Sequence, residues 1–319
     1  MNYAATLVTS LSINVILACS LHLIYGMGGL LFVAQFALMG VGAYTAAILS
    51  VSSGMPILLA ILIGMVAAAA VGAGFGAVST RLKGYEYVLV TFVFQMIMTE
   101  ILGTAEFITN GSLGIYGVER PALPWDGFVN STVSFAILAL LIALVTVVIT
   151  QKLTISSFGL AVRALREGEP STMALGISTP ALRVLMLAIG GAGTGLAGGL
   201  FASQIGVIYP VNFTVELSIL VIVYIVVGGK GNVWGAILGV AVVMAIPQVL
   251  GAFNVIPPSL QGPVNQMAYG LVIMLFVWFR PKGIIPERPS LRMHPKSGKK
   301  RIGSGDTAAP NNAGIAGGS

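Results

Sequence analysis

The sequence predicts an all-α fold, a polytopic transmembrane helical bundle of about nine spans, and three observations carry that reading. Hydrophobic residues make up 56% of the 319-residue chain and charged residues only 8%, with a mean hydropathy of +0.96. A soluble globule could not hide that much apolar surface, so the bilayer must be the solvent. The 41 glycines and the long charge-free runs fit packed helices rather than a barrel, whose strands would alternate polar and apolar residues. Fifteen of the sixteen Lys and Arg residues fall on one side of the resulting topology, which the positive-inside rule makes cytoplasmic.

Crossing the hydrocarbon layer takes about 20 apolar residues in a helix, and such windows follow one another along the chain. The first, 4 to 24, contains Leu17, Ala18, Cys19, which has the look of a lipoprotein cleavage box. No basic residue precedes the apolar run, as a signal peptide requires, so it is expected to be a true span. The second, 30 to 50, follows Gly26, Gly28 and Gly29, which leave the connection easy to unwind. Unwound backbone near Gln35 is an arrangement by which transporters meet polar solutes. The third, 56 to 78, places Gly72 and Gly76 four residues apart, a small-residue face for a neighbouring helix. The fourth, 86 to 105, holds Gln95 and Glu100, which project from different faces, so at most one of them lines a path.

The fifth window spans 132 to 150. The sixth, 182 to 203, contains Gly193 to Gly198, which satisfies GxGxxG letter for letter but has no preceding strand, so a dinucleotide site is rejected. Gly191, Gly195 and Gly199 in the same window form a second small-residue face, and packing is the expectation. The seventh and eighth, 213 to 228 and 234 to 250, are short and Gly-interrupted, and Pro247 should kink the latter. The ninth is 264 to 279, and eight to ten spans fit the pattern. The N-terminus then faces outward and the C-terminus is cytoplasmic, with Arg120 the one basic residue outside, in the loop 106 to 131. Residues 1–286 form the membrane domain. Residues 287–319, Pro-, Gly-, Ser- and Lys-rich, are expected to be a disordered basic cytoplasmic tail able to touch anionic membrane lipid.

Between the fifth and sixth spans lies the longest polar stretch outside the tail, 156 to 177. Phe158, Val162 and Leu165 recur at helical spacing while Arg163, Arg166 and Glu167 take other faces, so 157 to 167 should form a short amphipathic helix on the membrane surface. Pro170 suits the first turn of a second short helix. Physics alone leaves open whether the stretch merely joins two spans or does more. Asn14 and Gln248 are expected to hydrogen-bond between helices, His22 to lie at the interface, and Glu216 to be solvated. One Cys excludes an internal disulfide, and Cys19 with His22 and His294 cannot make a structural zinc set.

Six motifs, in order along residues 10 to 286, resemble those of the LivH/LivM-type permeases, the membrane subunits of branched-chain amino acid ABC importers, and most closely the LivM-like branch. They are Gly40 to Ala47 ("GxGAYxAA"), Arg81 to Tyr85 with Val90 and Thr91, Thr109 to Ile115, Ser156 to Ile177, Val227 to Ala236 and Phe279 to Gly283. The 156 to 177 stretch is similar to the family's cytoplasmic coupling loop. Leu160 stands where the family commonly has Arg, and Glu167, Gly168, Glu169 stand where it has "ENE".

The resemblance implies a permease subunit of an ATP-driven importer in a bacterial-type inner membrane, moving branched-chain or other small neutral amino acids by alternating access. Urea and short amides are the family-level alternatives. It implies a second permease subunit, homologue or copy, two cytoplasmic ATPase subunits and an extracytoplasmic solute-binding protein docking on outer loops including 106 to 131. Phe158, with Gly159, Arg163, Arg166, Glu167 and Glu169, would engage the ATPase, and Gln35, Gln95 and Glu100 are the candidates for the path. The chain has no Walker A motif, so it binds no cofactor itself and ATP belongs to the partners. No enzyme is expected, for want of a His/Asp/Glu cluster or Ser/His pair at a shared depth. No nucleic-acid partner is expected either. The rival class, a self-sufficient secondary transporter or channel, has no use for the 156 to 177 loop.

Overall fold

A computed structural model of the chain describes residues 2–82, 84–121, 131–168, 172–173, 176–252, scattered positions from 264 to 278, and 283–285. Its elements are α1 (Asn2–Leu21), a π turn (His22–Met27), α2 (Gln35–Ser53), α3 (Ile57–Val78), α4 (Gly84–Thr104), a short α5 (Glu106–Thr109) and β1 (Ile115–Tyr116). Then follow α6 (Ser131–Ile155), α7 (Ser157–Glu167), α8 (Thr179–Ile205), β2 (Val207–Ile208), α9 (Val215–Gly228) and α10 (Val233–Ala252). Seven of these helices are long and apolar enough to cross a bilayer, and the apolar part of α10, Val233–Gln248, is shorter. The ninth window, 264 to 279, and the tail from 287 onward lie largely or wholly outside the described residues.

The bundle is organised around α8, which packs against α1, α2 and α3 at once. Glycine makes that crowding possible. A methyl on Gly191 would lie 2.7 Å from the Ala68 carbonyl oxygen, one on Gly195 would collide with the Ala68 methyl, and one on Gly199 would lie 2.8 Å from Ile61. These three residues therefore form the face of α8 against α3, while a methyl on Gly198 would strike the Met39 carbonyl of α2. With no hydrophobic force between helices inside lipid, close van der Waals approach is what holds such a pair. On its other side α1 packs against α6, and α9 pairs with α10.

Hydrogen bonds sort the polar residues into two ends. At one end Arg183, the buried guanidinium at the start of α8, donates to the carbonyls of Thr80 at 2.9 Å and Leu82 at 3.0 Å, satisfying backbone just past the end of α3. Lys230 in the α9–α10 turn, the end of α6 and all of α7 lie at this same basic end, joined there to the π turn. At the opposite end Arg120 donates to Thr132 Oγ1 at 2.9 Å and reaches the Gln204 carbonyl. There β1 and β2 form a two-residue antiparallel ladder, Ile115 with Ile208 and Tyr116 with Val207, a minor addition to an all-helical fold. The Tyr209 hydroxyl donates to that of Tyr116 at 3.1 Å, and that bond raises the Tyr209 pKa.

Interhelical bonds account for the lone polar groups. Tyr224 donates to Asn14 Oδ1 at 3.2 Å, and Tyr3 donates to Gln248 Oε1. Glu216 is exposed. His22 departs from its expected interfacial place: it is fully buried, because the π turn carries it into the bundle.

Candidate functional site

Two regions concentrate the chain's polar chemistry, one around the start of α2 and one at the basic end. The chain leaves α1 through the π turn and then runs without regular structure from Gly29 to Ala34, Gly29 taking a left-handed φ of +70°. Phe32 and Ala34 in this stretch are fully buried. As a result α2 begins inside the bundle, alongside Leu17 of α1, Thr91 and Gln95 of α4, and Thr194 of α8.

A helix start exposes backbone N–H groups with no partner in their own helix, and a bilayer interior offers no water to take them. Here other helices take them. Phe36 N–H donates to Ser218 Oγ of α9 at 3.0 Å, and Ala37 N–H donates to Gln95 Oε1 of α4 at 2.7 Å. The Gln95 amide is fully used: Ser218 also donates to its oxygen at 3.0 Å, and its nitrogen donates to the Phe213 carbonyl at 2.9 Å and to Thr99 Oγ1 at 3.2 Å. Gln35 donates to Thr194 Oγ1 at 2.5 Å, with its other amide atom, Oε1, buried and without a partner among the described residues.

The three residues proposed from sequence for the path therefore separate. Gln35 and Gln95 converge, fully buried, on the first turn of α2. Glu100 is exposed on the outer face of α4 with Phe92, Val93, Met96, Ile97 and Ile101. An open cleft of about 540 Å³ lies elsewhere, at the opposite end between the α2–α3 turn and residues 117–121.

At the basic end α7 turns sharply off α6. Gly159 allows that turn, since any methyl there would collide with the carbonyls of Leu153 and Thr154. Ser156 caps the helix, its Oγ accepting from Gly159 N–H at 3.4 Å. Val162 and Leu165 are buried, and Phe158 is half-buried against the chain's own core. The stripe turned outward is Leu160, Arg163 and Glu167, at helical spacing, with Leu160 62% exposed. Leu160, which departs from the family motif, is the apolar end of that stripe. Glu169 lies outside the described residues.

Arg166 is exposed as well, but it also reaches back toward the bundle. Its guanidinium donates to the Gly26 carbonyl of the π turn at 3.1 Å. Lys230 lies over the Tyr25 ring at 4.6 Å, and Thr154 donates to the Met27 sulfur at 3.3 Å. Among the described residues no group of three His, Cys, Asp or Glu side chains could hold a metal ion.

Seven long apolar helices packed through glycine contacts, with a charged helix between two of them, make a multi-pass membrane protein. Residues 3–278 match the family described as the permease component of the branched-chain amino acid transport system, and the chain belongs to that family. It is 28% identical over 316 residues to the high-affinity branched-chain amino acid permease protein LivM of Salmonella typhimurium, covering 92% of this chain and 72% of the relative. It is 29% identical over 304 residues to LivM of Escherichia coli, covering 88% and 70%. It is also 29% identical over 309 residues to a probable LivM of Methanocaldococcus jannaschii, covering 89% and 84%. No solved structure matches the chain.

Proposed function

We propose that this chain forms part of the translocation path of an ATP-driven importer of branched-chain or other small neutral amino acids, with its basic end in the cytoplasm. The observation that carries the reading is α7, a helix of eleven residues that buries Val162 and Leu165 and turns Leu160, Arg163 and Glu167 away from the bundle. An exposed leucine followed along one stripe by two charges of opposite sign suits a groove on a soluble subunit, where the apolar side chain anchors and the charges set register. ATP binds to a pair of such subunits, whose closure switches the path between its two openings.

Glu100 supports a second permease subunit. A carboxylate on an apolar helix face is costly against lipid, so the α4 face that carries it meets that second subunit and the aqueous path between the two. A solute-binding protein delivers the solute to the opposite end, where Arg120 and the β1–β2 ladder hold the 105–121 and 204–209 segments together. Gln35 and Gln95 act in this scheme by holding the start of α2.

The test is co-reconstitution with the neighbouring permease and ATPase subunits and a solute-loaded binding protein. Arg163→Glu should lower co-purification of the ATPase, stimulated hydrolysis and uptake together. Solute flux through the chain alone, with no ATPase association, would sink the reading in favour of an independent carrier.

A further inference from the structure

The basic end has a feature that docking alone does not require. The π turn packs against α8 and is also held by Thr154 at the end of α6, by Arg166 of α7, and by the α9–α10 turn through Lys230, whose carbonyl oxygen would lie 2.7 Å from a methyl on Gly26. On its far side the same turn feeds straight into the irregular stretch that positions the start of α2. A π turn is a wide, weakly bonded form of helix that occurs mainly at functional sites. Five N–H donors available to a guanidinium, one of them on a backbone carbonyl, make the Arg166 bond charge-assisted and directional. The contact is also close-fitting, because Arg166 lies over Gly29 so tightly that a methyl there would be 2.8 Å from its Cγ.

We propose that Arg166 is a positioning residue for transport: through the Gly26 carbonyl it makes the π turn and the 28–34 segment follow α7, so that movement imposed on α7 shifts the first turn of α2. This rests on the importer reading above and adds the route by which the drive enters the membrane. Arg163 and Leu160 then meet the partner, and Arg166, on an exposed side chain, reaches back through its guanidinium to the Gly26 carbonyl to carry the displacement on. The route is short. The Arg166 hydrogen bond ties α7 to the π turn, seven residues, 28–34, join that to α2, and α2 is pinned to α4 and α9 by Gln95 and Ser218.

The experiment measures, in one set of proteoliposomes holding the full complex, ATP hydrolysed and solute taken up. Arg166→Ala should leave ATPase co-purification and hydrolysis intact while solute moved per ATP falls about tenfold, the scale of one lost charge-assisted hydrogen bond. Arg166→Lys, which keeps a charged donor, should recover most of that ratio. Gly29→Ala, which pushes on the same contact from the other side, should uncouple as Arg166→Ala does, and Lys152→Ala, an exposed cation of the same end, should not. Parallel loss of hydrolysis and uptake in Arg166→Ala, or equal uncoupling in Lys152→Ala, would overturn the proposal. So would variants that couple as well as a coupled wild type, leaving the importer reading in place. A wild-type complex whose hydrolysis ignores the loaded binding protein would overturn both.

Discussion

Gln95 shows how completely a single amide can be used within the protein. An uncharged polar side chain in the middle of an apolar window must find a partner, and the two candidates are a solute or another part of the protein. Its four bonds go to Ala37, Ser218, Phe213 and Thr99. That outcome was hidden in the sequence because residues 30–34 are as apolar as any helix, so nothing marked Ala37 as a donor in need. Replacing Gln95 with Ala strands that N–H in a dry interior, at a cost of about 1–3 kcal/mol. The purified chain should then melt at a lower temperature, and an unchanged melting point would show that the amide is not what holds the start of α2.

At the scale of elements, hydropathy located the spans well: the windows 56–78, 86–105 and 213–228 correspond to Ile57–Val78, Gly84–Thr104 and Val215–Gly228. What hydropathy cannot see is backbone shape. The second window opened at 30 although α2 starts at Gln35, and only the cluster Gly26, Gly28, Gly29 hinted at the break. The amphipathic reading of 157–167 matches α7 in extent, since buried and exposed positions there alternate at helical period with Arg163, Arg166 and Glu167 all exposed, yet the reach of Arg166 back to the π turn depends on tertiary packing. The outer face of α4 gives the prediction at this scale. If it meets a second permease subunit, Glu100→Lys should reduce co-purification of that subunit and uptake with it, whereas a face turned to lipid would leave both unchanged.

On the scale of the whole chain, charge distribution was the most legible property, because it depends only on counting residues between spans. Arg81, Lys152, Arg163, Arg166, Arg183 and Lys230 gather at one end, and Arg120 is held at the other by Thr132 and Gln204. The tight three-way packing of α8 was legible only in part, through Gly191, Gly195 and Gly199, since a glycine pattern says that a neighbour approaches closely without saying which.

The segment that follows the last window returns to α9. Ile284 N–H donates to the Val227 carbonyl and Ile285 N–H to the Gly228 carbonyl, each at 3.0 Å. Gly283 is a glycine by necessity, with a φ of +75° and no room for a methyl beside Gly229. Synthesis runs from the N-terminus, so the carbonyls at the end of α9 wait for partners made more than fifty residues later. An unfinished chain is thereby distinguishable from a finished one at that end: stopping translation after Lys282 should yield a product that inserts but is cleared by membrane proteases, and pulse-chase lifetimes equal to those of the full chain would show that the late segment is dispensable for biogenesis.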